Sequence, residues 1–239
     1  MRAPSSHTMA PPLNRPSPNF GERRADATGA CPIDMLVLHY TDMDSAETSL
    51  SRLCDPAAQV SAHYLIDEEG SLYALVTEEA RAWHAGLAYW RGCADVNSRS
   101  IGIELQNPGH SLGYRAFPEA QIARLIDLAS GILARHPIPT RNVLAHSDIA
   151  PDRKLDPGEL FPWAQLATAG IGVWPEGDSP GDPGSLKDSL AQIGYDPQAD
   201  QAIAAFQRRF RTSRIDNQPD PETACLAQAY LRLCEACPT

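Results

Sequence analysis

The apolar positions change their period several times along the chain. Met35, Leu36, Val37 and Leu38 form a continuous apolar run that gives way to His39, Tyr40 and Thr41, the pattern of a strand buried on both faces. "SAETSLSRLCD" predicts a short helix with Ser45 as its N-cap and Thr48 in the first turn. "SAHYLID" and "SLYALV", joined at "EEG", predict a hairpin, and "RSIGIELQ" alternates as a further strand. The strongest helical signal is "FPEAQIARLIDLASGILARHP". Pro118 starts it, Ile122, Leu125, Ile126, Ala129 and Leu133 make one face, and Pro137 ends it. "RNVLAHSD" predicts another short strand and "FPWAQLATAG" another helix.

The punctuation divides the chain. Residues 1–30, rich in Pro, Ser and Arg, predict an extended N-terminal arm, and 31–170 hold the strands and helices just described. The Gly/Pro-dense segment 171–184 is the best linker. Residues 185–239 predict a small three-helix domain, with helices around Ser185–Ile193, Ala199–Arg211 and Pro221–Leu233.

Composition narrows the class of partner. The 239 residues suffice for one sizeable core plus a small second domain. A formal net charge of -10 argues against nucleic acid. No apolar run approaches the roughly 20 residues that span a bilayer, so no membrane association is expected. The first residues lack the apolar stretch of about 7–15 residues of a secretory signal. With Met1 as the start, the expected compartment is the cytoplasm, with the periplasm as the alternative. Six scattered cysteines suit free thiols in a reducing compartment. Cys234 and Cys237 form a CxxC, but only Cys225 is nearby to complete a metal set, so the motif is read as inert.

Candidate chemistry lies at the strand ends. His39 ends one strand and His146 another, while Glu104 stands where a central strand would carry an apolar residue. Asp156 and Lys154 sit in "HSDIAPDRKLDPG", a loop stiffened by Pro151 and Pro157. Two neutral imidazoles and one carboxylate can bind Zn2+ and leave a fourth position open. A nearby Glu can serve as base and a Lys can stabilise an oxyanion. Spacing alone leaves this open. The two histidines form no HExxH pair, a histidine at a strand end is often structural, and "KLDPG" is a common turn. Of the other polar residues, His63 reads as structural, and Trp83 and His84 in "RAWHAG" either line a cleft or make a packed aromatic corner. Asn97 and Arg99 either meet a substrate carboxylate or lie in a solvated loop. His110 reads as surface, and His136 suits a helix C-terminus. A cysteine hydrolase using Cys54 or Cys93 lacks any local nucleophile signature.

"MLVLHYT", "SAHYLIDEEGSLYAL", "RAWHAG", "SIGIELQNPGH", "FPEAQIARL" and "LAHSDIAPDRKLDPGELFPW" occur in this order. Together they closely resemble the zinc-dependent N-acetylmuramoyl-L-alanine amidases of the amidase type 2 family, relatives of peptidoglycan-recognition proteins, over roughly Pro16 to Ala169. The resemblance implies an α/β fold with a mixed central sheet flanked by helices. It implies one Zn2+ held by His39, His146 and Asp156, Glu104 as general base and Lys154 as oxyanion stabiliser. The segment around "AFQRRF" resembles the three-helix peptidoglycan-binding domain of wall hydrolases. The implied reaction is cleavage of the amide between N-acetylmuramic acid and L-alanine. The implied substrates are soluble muropeptides, including 1,6-anhydro forms met in wall recycling. The alternatives are a secreted amidase that remodels the intact wall and a recognition protein without catalysis.

Overall fold

The structure, a computed structural model, describes residues 10–236 apart from Ala27, Cys31, Asp178 and Ser179. The start of the expected arm and Cys237 of the CxxC therefore lie outside the described residues.

Two short strands, β1 (Leu13–Asn14) and β2 (Phe20–Gly21), precede the buried strand β3 (Met35–Tyr40) and helix α1 (Ala46–Cys54). The hairpin is β4 (Tyr64–Ile66) with β5 (Leu72–Ala74), followed by β6 (Arg81–Ala82), the turn of helix α2 (Val96–Arg99) and strand β7 (Ser100–Leu105). Then come α3 (Gly109–Leu112), the long α4 (Glu119–Arg135), strand β8 (Val143–Ala145), and the short helices α5 (His146–Ile149) and α6 (Trp163–Thr168). Three helices close the chain: α7 (Leu186–Ile193), α8 (Ala202–Phe210) and α9 (Pro221–Ala236). The main sheet runs β1-β5-β4-β7-β3-β8. Its one antiparallel pair is the hairpin β4/β5, and every other neighbour is parallel, so the sheet is mixed.

Strand periodicity sorts the two faces. On one face, Leu36 and Leu38 of β3 and Ile101, Ile103 and Leu105 of β7 pack against Ile122, Leu125, Ala129 and Ile132 of α4. The buried stripe of α4 runs through Leu128 and Ile132, while Ile126 and Leu133, expected on it, are only partly buried. Gln121 sets this rotation: its Nε2 donates to the Ile66 and Gln106 carbonyls at the ends of β4 and β7. On the other face, Met35, Val37 and Leu144 share a core with Leu186, Leu190, Phe206 and Tyr230 of the C-terminal helices.

The C-terminal helices and this face of the sheet thus share one core. Ile171 is buried in the sheet core, and the Trp174 ring lies 5.7 Å from Phe210. The described part of the arm is likewise pinned down. Ser17 N–H donates to Leu75 O, and Asn19 Nδ2 donates to Asp55 O and Val60 O.

Glu78 joins sheet to helix. Its carboxylate accepts from Tyr64 Oη of β4 at 2.8 Å, from Arg135 Nη2 at 2.6 Å and from His136 Nε2 at 2.6 Å at the end of α4. Burial alone would raise its pKa, but these three donors outweigh burial and bring it from the ordinary 4.5 down to about 2. A carboxyl depressed in the folded state stabilises the fold above its unfolded pKa and loses that contribution as pH falls towards its folded one. Glu78→Gln should therefore lower stability at pH 7 by on the order of 1–3 kcal/mol. The gap to the parent should shrink as pH falls below about 4.5 towards about 2. Thermal unfolding of both proteins from pH 7 to pH 3 measures this.

Candidate metal centre and active site

The site stands at the carboxyl ends of three parallel strands, the usual place for a site in such a sheet. The period of two puts His39 on the face of Met35 and Val37, and Glu104 on the face of Ser100 and Gly102. The β3/β7 register then sets His39 directly beside Glu104 and Val37 beside Gly102. On the other side Leu38 pairs with Ala145, so His146, the first residue of α5, emerges next to His39. The proline-stiffened loop returns to the same place. Ser147 N–H donates to Asp156 O, Lys154 N–H to Ala150 O, and Tyr114 Oη to Pro157 O.

Three ligating atoms converge. His39 Nδ1 lies 2.9 Å from His146 Nδ1 and 3.1 Å from Asp156 Oδ2, and His146 Nδ1 lies 3.0 Å from the same oxygen. All three side chains are buried. The surrounding hydrogen bonds assign the tautomers. Ser100 Oγ donates to Val96 O, so it accepts from His84 Nε2; His84 Nδ1 must then accept from His39 Nε2 at 3.0 Å. His146 Nε2 donates to Ala85 O at 3.1 Å. Each ligating imidazole thus spends its proton outward and turns a lone pair inward.

Burial pushes the His39 imidazole down to about 4, so it is neutral at pH 7. Lone pairs facing one another in a buried site lack a partner unless a cation lies among them. Two neutral nitrogens and one carboxylate oxygen form the donor set of an open zinc site. The residues present fit the metal.

Glu104 adds a free carboxylate oxygen. Its Oε2 is enclosed and has no hydrogen-bond partner. Burial, then the Asp156 charge, pushes its pKa well above the usual range, while Lys154 pulls it back. The cleft over the site is lined by Tyr40, Arg52, Trp83, His110, Arg153 and Lys154, among others.

The structure thus brings His39, Glu104, His146, Lys154 and Asp156 to one cleft. Trp83 also lines it. His84 reaches the cleft wall, but both its ring nitrogens are taken by His39 and Ser100, so it supports a ligand and is not free for substrate. Asn97 and Arg99 do not line the cleft. Asn97 is buried, and its Oδ1 accepts from the His84 and Ala85 N–H groups, holding the "WHA" turn. Arg99 forks onto Asp34 at the opposite end of β3. They lie seven and five residues before Glu104, in α2 at the far end of β7, which carries them away from the site. His110, read as surface, is exposed and also lines the cleft, with its Nδ1 2.7 Å from Tyr40 Oη. His63 is buried and accepts the Gly102 N–H at Nδ1.

Sequence reasoning missed Ser100 and Gly102. The alternation of small or polar with apolar residues in "SIGIEL" was their signal. A Cβ on Gly102 would meet the His84 ring at 2.5 Å, so only glycine lets that ring lie on β7. Gly102→Ala should displace His84 and release the His39 Nε2–H. Overpacking should cost about 1–3 kcal/mol of stability. Metal affinity should fall roughly 10–100-fold, as on loss of other outer partners of a ligand. Chelator competition with the folded variant checks the affinity.

The family model described as N-acetylmuramoyl-L-alanine amidase matches residues 29–159. The chain is 42% identical over 242 residues to the N-acetylmuramoyl-L-alanine amidase AmiD of Escherichia coli (strain K12), covering 88% of this chain and 87% of that protein. A solved complex of AmiD from E. coli with the substrate anhydro-N-acetylmuramic acid-L-Ala-D-gamma-Glu-L-Lys superposes with a TM-score of 0.77 at 39% identity, covering 90% of this chain and 98% of that one. The crystal structure of AmpDH3 from Pseudomonas aeruginosa in complex with anhydromuramic pentapeptide gives a TM-score of 0.75 at 31% identity, covering 96% of each chain. The matched span carries β3, β7, β8 and the Asp156 loop, and the chain belongs to the amidase type 2 family of N-acetylmuramoyl-L-alanine amidases.

Proposed function

We propose that the protein hydrolyses the amide between N-acetylmuramic acid and L-alanine in soluble muropeptides, including 1,6-anhydro forms, as a step in peptidoglycan recycling. His39, His146 and Asp156 hold one Zn2+. The observation that carries this reading is the inward-facing donor set with the unpartnered Glu104 Oε2 beside it. The AmiD and AmpDH3 complexes carry anhydromuramic peptides, which supports the substrate class.

Zn2+ bound there supplies Lewis acidity towards a water and towards the scissile carbonyl. Glu104 takes a proton from the attacking water and returns it to the leaving nitrogen of L-alanine. Its raised pKa suits it to hold that proton between the two steps. Lys154 places positive charge at the cleft where the carbonyl oxygen becomes negative. Tyr40, Trp83 and His110 give the cleft the aromatic walls that pack against a sugar ring and orient it.

A recognition protein without catalysis would not need Glu104 in an apolar strand. The amidase of the intact wall shares the chemistry and differs in substrate size. The compartment we propose is the cytoplasm, where the thiols of Cys54, Cys93 and Cys225 would stay reduced, with the periplasm as the alternative. Cell fractionation decides between them.

Glu104→Gln should keep stoichiometric zinc and lose roughly 10²–10⁴ in turnover of anhydromuramyl peptides. Near-full turnover in this variant would move the base to another group. Asp156→Ala, by contrast, should lose the metal together with the activity, as elemental analysis of the purified variant would read. Purified muropeptides and intact sacculi digested side by side should show faster release of peptide from the soluble substrate. The reverse order, read by mass spectrometry, would favour the wall-remodelling alternative.

A further inference from the structure

His146 stands on the shortest of supports. Strand β8 has three residues, lies at the edge of the sheet and pairs only with β3. The helix α5 that follows has four residues. An edge this short has little of its own to hold the imidazole in place.

The hold comes from the C-terminal helices. Asp148, fully buried, accepts the Ala145 N–H at Oδ2 and so closes the turn from β8 into α5. The same oxygen takes Arg209 Nη1 of α8, and Oδ1 takes Tyr195 Oη at 2.6 Å, from the turn after α7. Arg209 Nη2 donates to Val143 O at 3.0 Å, on the free edge of β8. The guanidinium is 3% exposed and lies 3.9 Å from the centre of the Trp163 ring. One side chain thus bridges the strand and the helix between which His146 begins. Around it, Leu144 and Ile149 share a core with Leu186, Phe206 and Tyr230.

A buried ion pair is weak evidence for stability, because desolvating both charges offsets much of their attraction. A fork that fixes one backbone carbonyl and one buried carboxylate is instead suited to geometry, and Arg is the residue that can do it. We propose that Arg209, with Tyr195, is a positioning residue for His146: it fixes Asp148 and the β8–α5 turn, and through them the angle at which His146 Nδ1 meets the other donors. The C-terminal helices are then part of the metal site's framework, whatever else they bind. This inference rests on His146 being a metal ligand.

The test uses the full-length chain and Zn2+ alone, in competition with a chromogenic chelator. Arg209→Lys keeps the charge but cannot reach both Asp148 and Val143 O. Arg209→Met paired with Asp148→Asn removes the charges and keeps most of the volume. Leu190→Ala in α7 is the control, since it loosens the same core without removing any hydrogen bond to the β8–α5 turn. The expected result is a loss of zinc affinity of roughly 10–100-fold in both Arg209 variants. Leu190→Ala should keep the parent affinity at an equal or larger drop in melting temperature. Wild-type zinc affinity in folded Arg209→Lys and in the double variant would overturn the proposal, as would an equal loss in Leu190→Ala. His146→Ala is run beside them. If it binds zinc like the parent, the ligand assignment itself has failed, which is a different result from a failure of Arg209 alone.

Discussion

Three electron-pair donors set about 3 Å apart in a buried place repel one another, and the architecture around the cleft is organised to hold them there. Each donor is aimed by something behind it. A chain from His39 through His84 and Ser100 to the Val96 carbonyl fixes one imidazole. The Ala85 carbonyl fixes the other. The proline-stiffened loop brings the carboxylate, anchored to α5 by its own backbone. A cation among the three donors would turn that mutual repulsion into coordination.

The parallel register of β3 and β7 is what sets the proposed base beside the proposed metal ligands. Because His39 and Glu104 are direct neighbours on one face, a carboxylate stands beside the donors without being one of them. A slip of one residue would turn Glu104 into the apolar core under α4, exchanging it for Ile103 or Leu105. The register is held on that opposite face by Ile101, Ile103 and Leu105 packed on α4, and by Gln121 bonded to the ends of β4 and β7. The core on one side of the sheet thereby sets the chemistry on the other.

The second core extends this logic to the end of the chain. Helices α7 to α9 bury the sheet face that carries the site, and Arg209 reaches through to the edge strand that carries His146. A Gly/Pro-rich stretch that reads as a boundary is here a packed connection, with Trp174 against Phe210.

The sequence by itself determined the local elements. A run of apolar residues before His39, alternation around Glu104 and prolines around Asp156 each act within a few residues, so each is visible in one dimension. The same alternation placed Glu104 on the face away from Ile103 and Leu105. Tertiary structure alone decided what lies between distant segments. Asn97 and Arg99, close to Glu104 in sequence, are carried away from the cleft because an extended strand separates its ends by several residues' rise. His110, remote from His39 in sequence, is returned to the cleft beside Tyr40. Arg209 meets Asp148 across 61 positions, a pairing that no local period encodes. Hydrophobic periodicity reports which face is buried; which partner buries it depends on how the whole chain closes, and that is where the supports of His39 and His146 are found.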